Sequence, residues 1–515
     1  MTTALTHGLR LLRWGRILGA RGALRGIEND RNAPPGVRRL ARLARFGSSP
    51  PKVPDYAGAF EAIGPAAIKL GQALATRPDL VGADAARDLT RLQDSLPPLP
   101  FAAIEAALVE AYAGPWQQHF ASIDPIPVGA ASVAQVHRAV TTDGRTVAVK
   151  VLRPGVEQAF ADAIETYEWA AARVEGLGPE AARLRPRAII ASFKAWTLAE
   201  LDLRREAGSA SELGAAMQGE PGFVVPPVDW ARTTRRVLTI GWIDGVKLSD
   251  REGVAALGLD HRKLAATLVN SFLRQAIGEG FFHADMHQGN LFALPDGRIG
   301  VVDFGIMGRL DRRARVYLAE IIYGLLTGNY RRVAEIHFEA GYVPAHHDVA
   351  EFATALRTVG EPIRGLAARD ISISSLLDGL FAITRSFDMA VQPHLLLLQK
   401  TMVMVEGVAL GLDREVNMWQ VAEPFVREWM RDELGPEVRL ADSLVLNFRA
   451  LRQLPRVLRT LLDLVPIGGA APPELPITDA PSPEVRVRAT IVDAGWIAAG
   501  AGIIGVLLGV ALAAH

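Results

Sequence analysis

Two carboxylates and an amide stand close together in one stretch: Asp285, Asn290 five residues on, and Asp303 at the end of the apolar run Ile299 to Val302. Pro295-Asp296-Gly297, a turn signal, separates the strand-like runs that would carry them. Oxygen donors this sparse suit Mg²⁺, which keeps several waters and takes few protein ligands when it also holds phosphate oxygens. The chemistry open to such a set is phosphoryl transfer, with Asp285 orienting or deprotonating the attacking group and Asn290 and Asp303 acting as metal ligands.

His283-Ala284-Asp285, then Asn290, then Asp303-Phe304-Gly305 follow the order of a kinase catalytic loop and its metal-binding segment. A nucleotide site needs a second half, and the upstream chain offers one. Pro127 to Ala139 reads as strand, turn, strand, with Gly129, Ala130, Ala131 and Ser132 in the turn. Side chains this small let backbone N–H groups approach phosphate oxygens. Two further alternating strands, Thr146 to Leu152 and Arg236 to Ile243, follow. The first carries Lys150 in Val147-Ala148-Val149-Lys150, the pattern of a strand lysine that pairs the α- and β-phosphates and a helical glutamate. Pro186 to Ala207 is the expected helix, offering Glu200, Asp202 and Glu206. Asp202 and Glu206 are four apart and share a face, and Glu206 is the expected partner of Lys150. The 56 residues from Lys150 to Glu206 are long for this connection, so Pro154 to Arg185 is expected to be an inserted helix or helix pair.

The elements that must position these groups belong to a chain of 515 residues, 49% apolar and 22% charged, ample for more than one domain. Lys+Arg and Asp+Glu both number 56, so net charge makes no case for nucleic acid. There is no cysteine, which excludes disulfides, thiolate metal sites and cysteine nucleophiles and fits a protein facing the cytoplasm. From Thr2 to Gly47 ten arginines stand against two acids, interleaved with Leu5, Leu9, Leu12 and Leu18. That is the pattern of a basic amphipathic helix on an anionic membrane surface, without the apolar core of a secretory signal. Tyr56 to Ala113 reads as helical, and within it Lys69 and Gln72 share a helix face. Composition alone makes this a surface helix with Gly71 as a close-packing residue.

Taken in order, these motifs resemble the UbiB family of atypical protein-kinase-like proteins associated with ubiquinone (coenzyme Q) biosynthesis. The resemblance is carried by Lys69-x-Gly71-Gln72 with Thr76-Arg77-Pro78-Asp79-Leu80, by Gly129-Ala130-Ala131-Ser132 with Gln135-Val136-His137-Arg138-Ala139, and by Val149-Lys150 through Gly155. Glu200-x-Asp202 with Arg205-Glu206-Ala207, His283 through Asn290 and Asp303-Phe304-Gly305 complete it, over residues 55 to about 420. The resemblance implies an α+β, two-lobe kinase-like fold. In that fold the Lys-x-Gly-Gln helix lies over the site as a lid and contacts the Glu-x-Asp helix, which makes Lys69, Gln72, Glu200 and Asp202 regulatory. It also implies ATP or ADP with Mg²⁺ as cofactors, and an Ala-rich loop in place of a glycine-rich one. Gly129 departs from the family's usual alanine, Met286 and Gln288 from a common proline, and Gly241 from a typical acidic residue.

The expected organisation is a basic segment over 1–48, a helical extension over 52–115, a first lobe with a helical insertion over 116–245 and a helical second lobe over 246–465. A linker over 466–485 and a membrane helix over 490–514 follow. Leu310 to Val465 reads as amphipathic helices, including Leu395 to Leu410 and the arginine-bearing Leu444 to Leu464. His337, His346 and His347 have no carboxylate at a ligand spacing on one helix face, so no metal site is expected there. Ala494 to Ala514 gives 21 residues without a charge, about 31 Å of helix and enough for one crossing. Arg486 and Arg488 precede it, which places the body on the cytoplasmic face. Gly505-x-x-x-Gly509 permits close helix association and hence a homodimer.

The function expected is that of a membrane-associated, Mg²⁺-dependent ATPase or phosphotransferase supporting ubiquinone biosynthesis. Its partners would be the bilayer and isoprenoid quinone precursors or their biosynthetic enzymes. Competing readings are a protein kinase acting on a partner, a small-molecule kinase, and a nucleotide-gated scaffold without turnover.

Overall fold

The computed structural model describes residues 4–29, 35–75, 81–92, 97–176, 185–364, 379, 383, 386–389 and 393–434. The expected membrane helix, the linker, Leu444 to Leu464 and Thr76 to Leu80 lie outside the described residues. The described chain forms two units, one drawn from residues up to 211 and from 226–242, the other from 212–225 and from 243 onward.

The chain opens with α1 (Ala4–Ala20), α2 (Arg25–Asn29), α3 (Pro35–Ala44), α4 (Tyr56–Ile63), α5 (Pro65–Ala75), α6 (Ala83–Leu89) and α7 (Phe101–Tyr112). β1 (Phe120–Ile123), β2 (Gly129–Ala130), β3 (Ala134–Thr141), β4 (Thr146–Leu152), α8 (Val156–Glu175), α9 (Pro186–Glu200), α10 (Leu203–Ala216), β5 (Phe223–Val224) and β6 (Val237–Gly241) follow. In the first unit the sheet runs β1-β3-β4-β6, all antiparallel, with β2 also paired to β3. Strand alternation sorts β4: Val147, Val149 and Val151 sink into a cluster with Ile104 and Leu108 of α7, so Lys150 between them faces the other way. The opposite face belongs to a larger cluster that joins Leu152 to Phe160 and Tyr167 of α8 and to Leu203 and Ala207 of α10.

Two sequence readings are corrected in this unit. α5 is not a surface helix: Ala66 through Gly71 and Leu74 are buried, Lys69 among them. Gly71 has the close-packing role, since a Cβ there would come within 2.3 Å of Leu92 Cδ1 and 2.8 Å of Phe60 Cδ1. The expected single helix from Pro186 to Ala207 is two helices broken at Leu201 and Asp202. Asp202 begins the second, its carboxylate accepting from the Arg204 N–H at 3.2 Å, which is how Asp starts a helix rather than continuing one. α1 is apolar on two sides: Leu11, Trp14 and Leu18 are buried, and Arg10 pairs with Asp162 of α8 at 2.5 Å. Leu5, Leu9 and Leu12 stay exposed with Arg13 and Arg16.

The second unit adds β7 (Val246–Lys247), α11 (Arg251–Ala256) and α12 (His261–Leu273), which runs into a π-helical turn over Arg274–Glu279. Then come β8 (Phe281–His283), β9 (Leu291–Ala293), β10 (Ile299–Val301), β11 (Met307–Arg309), α13 (Arg312–Thr327), α14 (Tyr330–Glu339), α15 (Val349–Arg364), α16 (Pro393–Leu412) and α17 (Met418–Leu434). Its strands pair as β5-β10-β9-β7 and β11-β8. Helix limits follow their caps: Gly328, at φ +74°, ends α13, and the next residue, Asn329, caps α14 by accepting from Arg332 N. Residues 395–412 of α16 are, among the described residues, the one helical stretch long and apolar enough to cross a bilayer. It packs against α12 and buries Thr401, while most of the stretch is at least partly exposed.

Candidate functional site

In the second unit β9 and β10 form a hairpin in which Val301 pairs with Leu291. Gly297 closes its turn at φ +83°, with the Asp296 carboxylate accepting from Arg298 N. One step beyond the paired residues, Val302 N–H donates to the Asn290 carbonyl at 3.0 Å. The hairpin therefore delivers Asn290 and Asp303 to the same end. Asn290 Nδ2 donates to the Asp285 carbonyl at 3.1 Å, which leaves Oδ1 as its oxygen for a metal. Asp303 sits at φ +64°, left-handed backbone that Asp and Asn tolerate better than other side chains and that still costs about 1 kcal/mol or more. A carboxylate and an amide oxygen beside a catalytic-loop aspartate are the donor set that Mg²⁺ uses with nucleotide phosphates, so these residues fit that ion.

His283 joins the two segments. It is fully buried, donates from Nε2 to the Asp303 carbonyl at 2.8 Å, and accepts at Nδ1 from the Asp285 N–H at 3.2 Å. Those two bonds set its tautomer and tie the backbone of the catalytic loop to that of the metal-binding segment. Its own N–H donates to Gln275 Oε1 at 3.0 Å, from the π-helical turn. Asp285 is flanked on both oxygens: His287 Nε2 lies 3.8 Å from Oδ2 and Lys400 Nζ 3.5 Å from Oδ1.

Sequence reasoning missed Lys400 and its neighbour Thr401, whose hydroxyl lies 3.2 Å from the Ala284 carbonyl and 2.8 Å from that of Leu397. The available signal was the polar triplet Gln399-Lys400-Thr401 interrupting an otherwise apolar helix.

In the first unit the structure brings Lys150 and Glu206 together, Nζ donating to both carboxylate oxygens at 2.9 Å. Glu206 lies in the first turn of α10, where the helix dipole favours a carboxylate. Glu200 ends α9 and pairs instead with the buried Lys69 at 2.5 Å, with Lys69 Nζ also 5.8 Å from the Trp196 ring centre. Gln72 donates to the Leu92 carbonyl at 3.4 Å. Asp202, at the start of α10, pairs with Arg204 at 2.6 Å.

Around the small-residue turn, Gly129 and Ala130 pair with Val136 and Gln135, and Ala131 N–H donates to the Ala134 carbonyl at 2.8 Å. Ser132 is fully buried, and Arg153 Nε donates to the Ala131 carbonyl at 2.8 Å. None of the four residues takes a positive φ, so the turn does not depend on glycine. A Cβ at Gly129 would meet nothing within 4 Å, so glycine here in place of alanine leaves the backbone unchanged. Gly241 is different: a Cβ there would come within 2.9 Å of Pro227 Cδ, so an acidic side chain would not fit. Met286 is fully buried.

Asp388, at φ +49°, lies 3.6 Å from His347 Nε2 and 4.0 Å from His346 Nε2. The carboxylate that helix spacing did not supply therefore comes from a remote segment, although Asp388 and His346 are both well exposed.

Burial holds His283, His337 and His137 below the ordinary histidine value, against the pull of Asp303 and Asp285 on His283. Because the folded values are depressed, the unfolded chain takes up protons first as pH falls below about 6.5, and stability drops from there until the folded values are passed. Melting should fall between pH 7 and 5.5 by up to about 1.4 kcal/mol per pH unit for each such histidine. A flat profile over that window would contradict their buried, neutral state.

Residues 91–337 match the ABC1 atypical kinase-like domain and residues 356–417 the UbiB helical domain. The "Probable protein kinase UbiB" of Marinobacter nauticus is 38% identical over 382 residues, covering 73% of this chain and 70% of that protein. That of Aeromonas salmonicida is 38% identical over 414 residues, 78% of this chain and 76% of the relative. Among solved structures, the complex of Rv3197 with erythromycin from Mycobacterium tuberculosis matches with a TM-score of 0.52 at 27% identity. The match covers 70% of this chain and 91% of that one, and the fold is kinase-like.

Proposed function

This chain belongs to the UbiB family of atypical kinase-like proteins, and on that premise we propose that it is a Mg²⁺-dependent ATPase or phosphotransferase supporting ubiquinone biosynthesis at a membrane surface. The observation that carries the reading is the second unit's hairpin end, where Asn290 and Asp303 emerge together and His283 locks them to the loop of Asp285. Bound Mg²⁺ supplies charge neutralisation for the nucleotide phosphates. Asp303 and the Asn290 Oδ1 would hold it. Asp285 orients the attacking oxygen, water or acceptor, and takes its proton. In the first unit, Lys150, held by Glu206, and the backbone of the Gly129 to Ala131 turn are the groups suited to the α- and β-phosphates. Lys69, held by Glu200, restrains the α5 lid.

Membrane contact is supported by the exposed Leu5, Leu9 and Leu12 on a basic helix. A cytoplasmic orientation and a homodimer through the tail belong to the same proposal. A second reading, phosphorylation of a protein partner, is supported by the names of the relatives. The separating experiment measures ADP release from purified protein with and without Mg²⁺, lipid vesicles and a quinone-precursor mimic. Release that needs Mg²⁺ and rises with lipid and mimic is expected. Failure to bind nucleotide with Mg²⁺ would overturn the reading, and labelled phosphate on a protein in place of free phosphate would favour the second.

A further inference from the structure

The catalytic stretch from His283 to Gly305 is poor in positive charge. Its one Lys or Arg, Arg298, is held by the Asp296 carboxylate at 2.7 Å in the hairpin turn. Phosphoryl transfer gathers negative charge on the terminal phosphoryl oxygens, and protein kinase-type sites meet it with fixed cations. Within this same unit, α16 places Lys400 Nζ 3.5 Å from Asp285 Oδ1. Among the described residues it is the only Lys or Arg ion-paired with that carboxylate. The placement is built rather than incidental. The next residue, Thr401, is fully buried with its hydroxyl 3.2 Å from the carbonyl of Ala284, the residue before Asp285. That contact lays the helix against the catalytic loop, while Lys400, with 45% of its side chain exposed, keeps N–H groups open to a ligand.

We infer that Lys400 binds the terminal phosphoryl group of the nucleotide, so that the helical segment, and not the catalytic loop, supplies the cation beside Asp285. The inference rests on the phosphoryl-transfer reading above. In that step the bond from phosphorus to the leaving diphosphate oxygen breaks and a bond to the acceptor oxygen forms. The acceptor's proton passes to Asp285, and Lys400 donates hydrogen bonds to the transferring oxygens.

The test compares wild type with Lys400→Met and Lys400→Arg, scoring Mg²⁺-dependent turnover and affinity for ATP and for ADP. Lys400→Met should lower kcat about 10²-fold and weaken ATP several-fold while leaving ADP unchanged, because ADP lacks the group that Lys400 holds. Lys400→Arg should recover most of the loss. Unaltered turnover in Lys400→Met, or an equal loss of ATP and ADP affinity with a lowered melt, would overturn the inference and reduce Lys400 to a packing residue. A wild-type protein without Mg²⁺-dependent nucleotide binding would instead overturn the functional reading beneath it, before any variant is compared.

Discussion

Asp303→Asn should lose Mg²⁺-dependent nucleotide turnover by at least about 10²-fold while its melt without nucleotide stays that of wild type. Asparagine is the right replacement because of the backbone. At φ +64°, alanine would add strain of its own, whereas asparagine tolerates the left-handed region as aspartate does. The His283 contacts are to the Asp303 carbonyl, so they survive the change. What is lost is one negative charge at the metal. Thermal shift with Mg·ATP reads the result directly: wild type is stabilised and the variant is not. An undiminished shift in Asp303→Asn would take the metal away from this residue.

Lys69→Ala is expected to cost about 3 kcal/mol of stability and to change nucleotide turnover. The ammonium is buried and its partner Glu200 mostly so, and removing one member of such a pair takes that compensating charge from the other. A Lys69→Ala/Glu200→Ala double variant should recover part of the loss, which a denaturant titration of the four proteins in the cycle would show. Turnover separates restraint from packing. If Lys69→Ala melts early yet turns nucleotide over like wild type, α5 is a packing helix held close by Gly71, and its role as a lid is lost.

The groups from His283 to Gly305 were legible because their geometry is local. A tight turn and two short strands leave little freedom in where Asn290 and Asp303 emerge. Lys150 was legible for a similar reason, since strand alternation sets its face once the flanking valines are buried. Its pairing with Glu206 followed from the pattern of a strand lysine and a helical glutamate, despite a connection long enough to need an inserted helix. The helix break at Leu201 and Asp202 was hidden because no proline or glycine marks it, and Asp202 reads equally as a face residue and as a cap. Lys69 looked solvent-exposed, since a lysine's burial depends on a carboxylate 131 residues later in the chain. Lys400 was invisible for the same physical reason. Nothing local in an apolar helix says that its one lysine will meet Asp285, which lies 115 residues earlier.

The interruption between α9 and α10 bears on how this region can change over evolutionary time. On an unbroken helix, Glu200 and Glu206 would be fixed about 120° apart around one axis, and any tilt that suited Lys69 would be imposed on Lys150. The break makes two short rods with a joint between them, each carrying one carboxylate to its own lysine. Substitutions that re-angle the first rod can accumulate while the second holds still. Each carboxylate is aimed at its own lysine by its own helix, so a change in the tilt of α9 need not re-register Glu206 on Lys150.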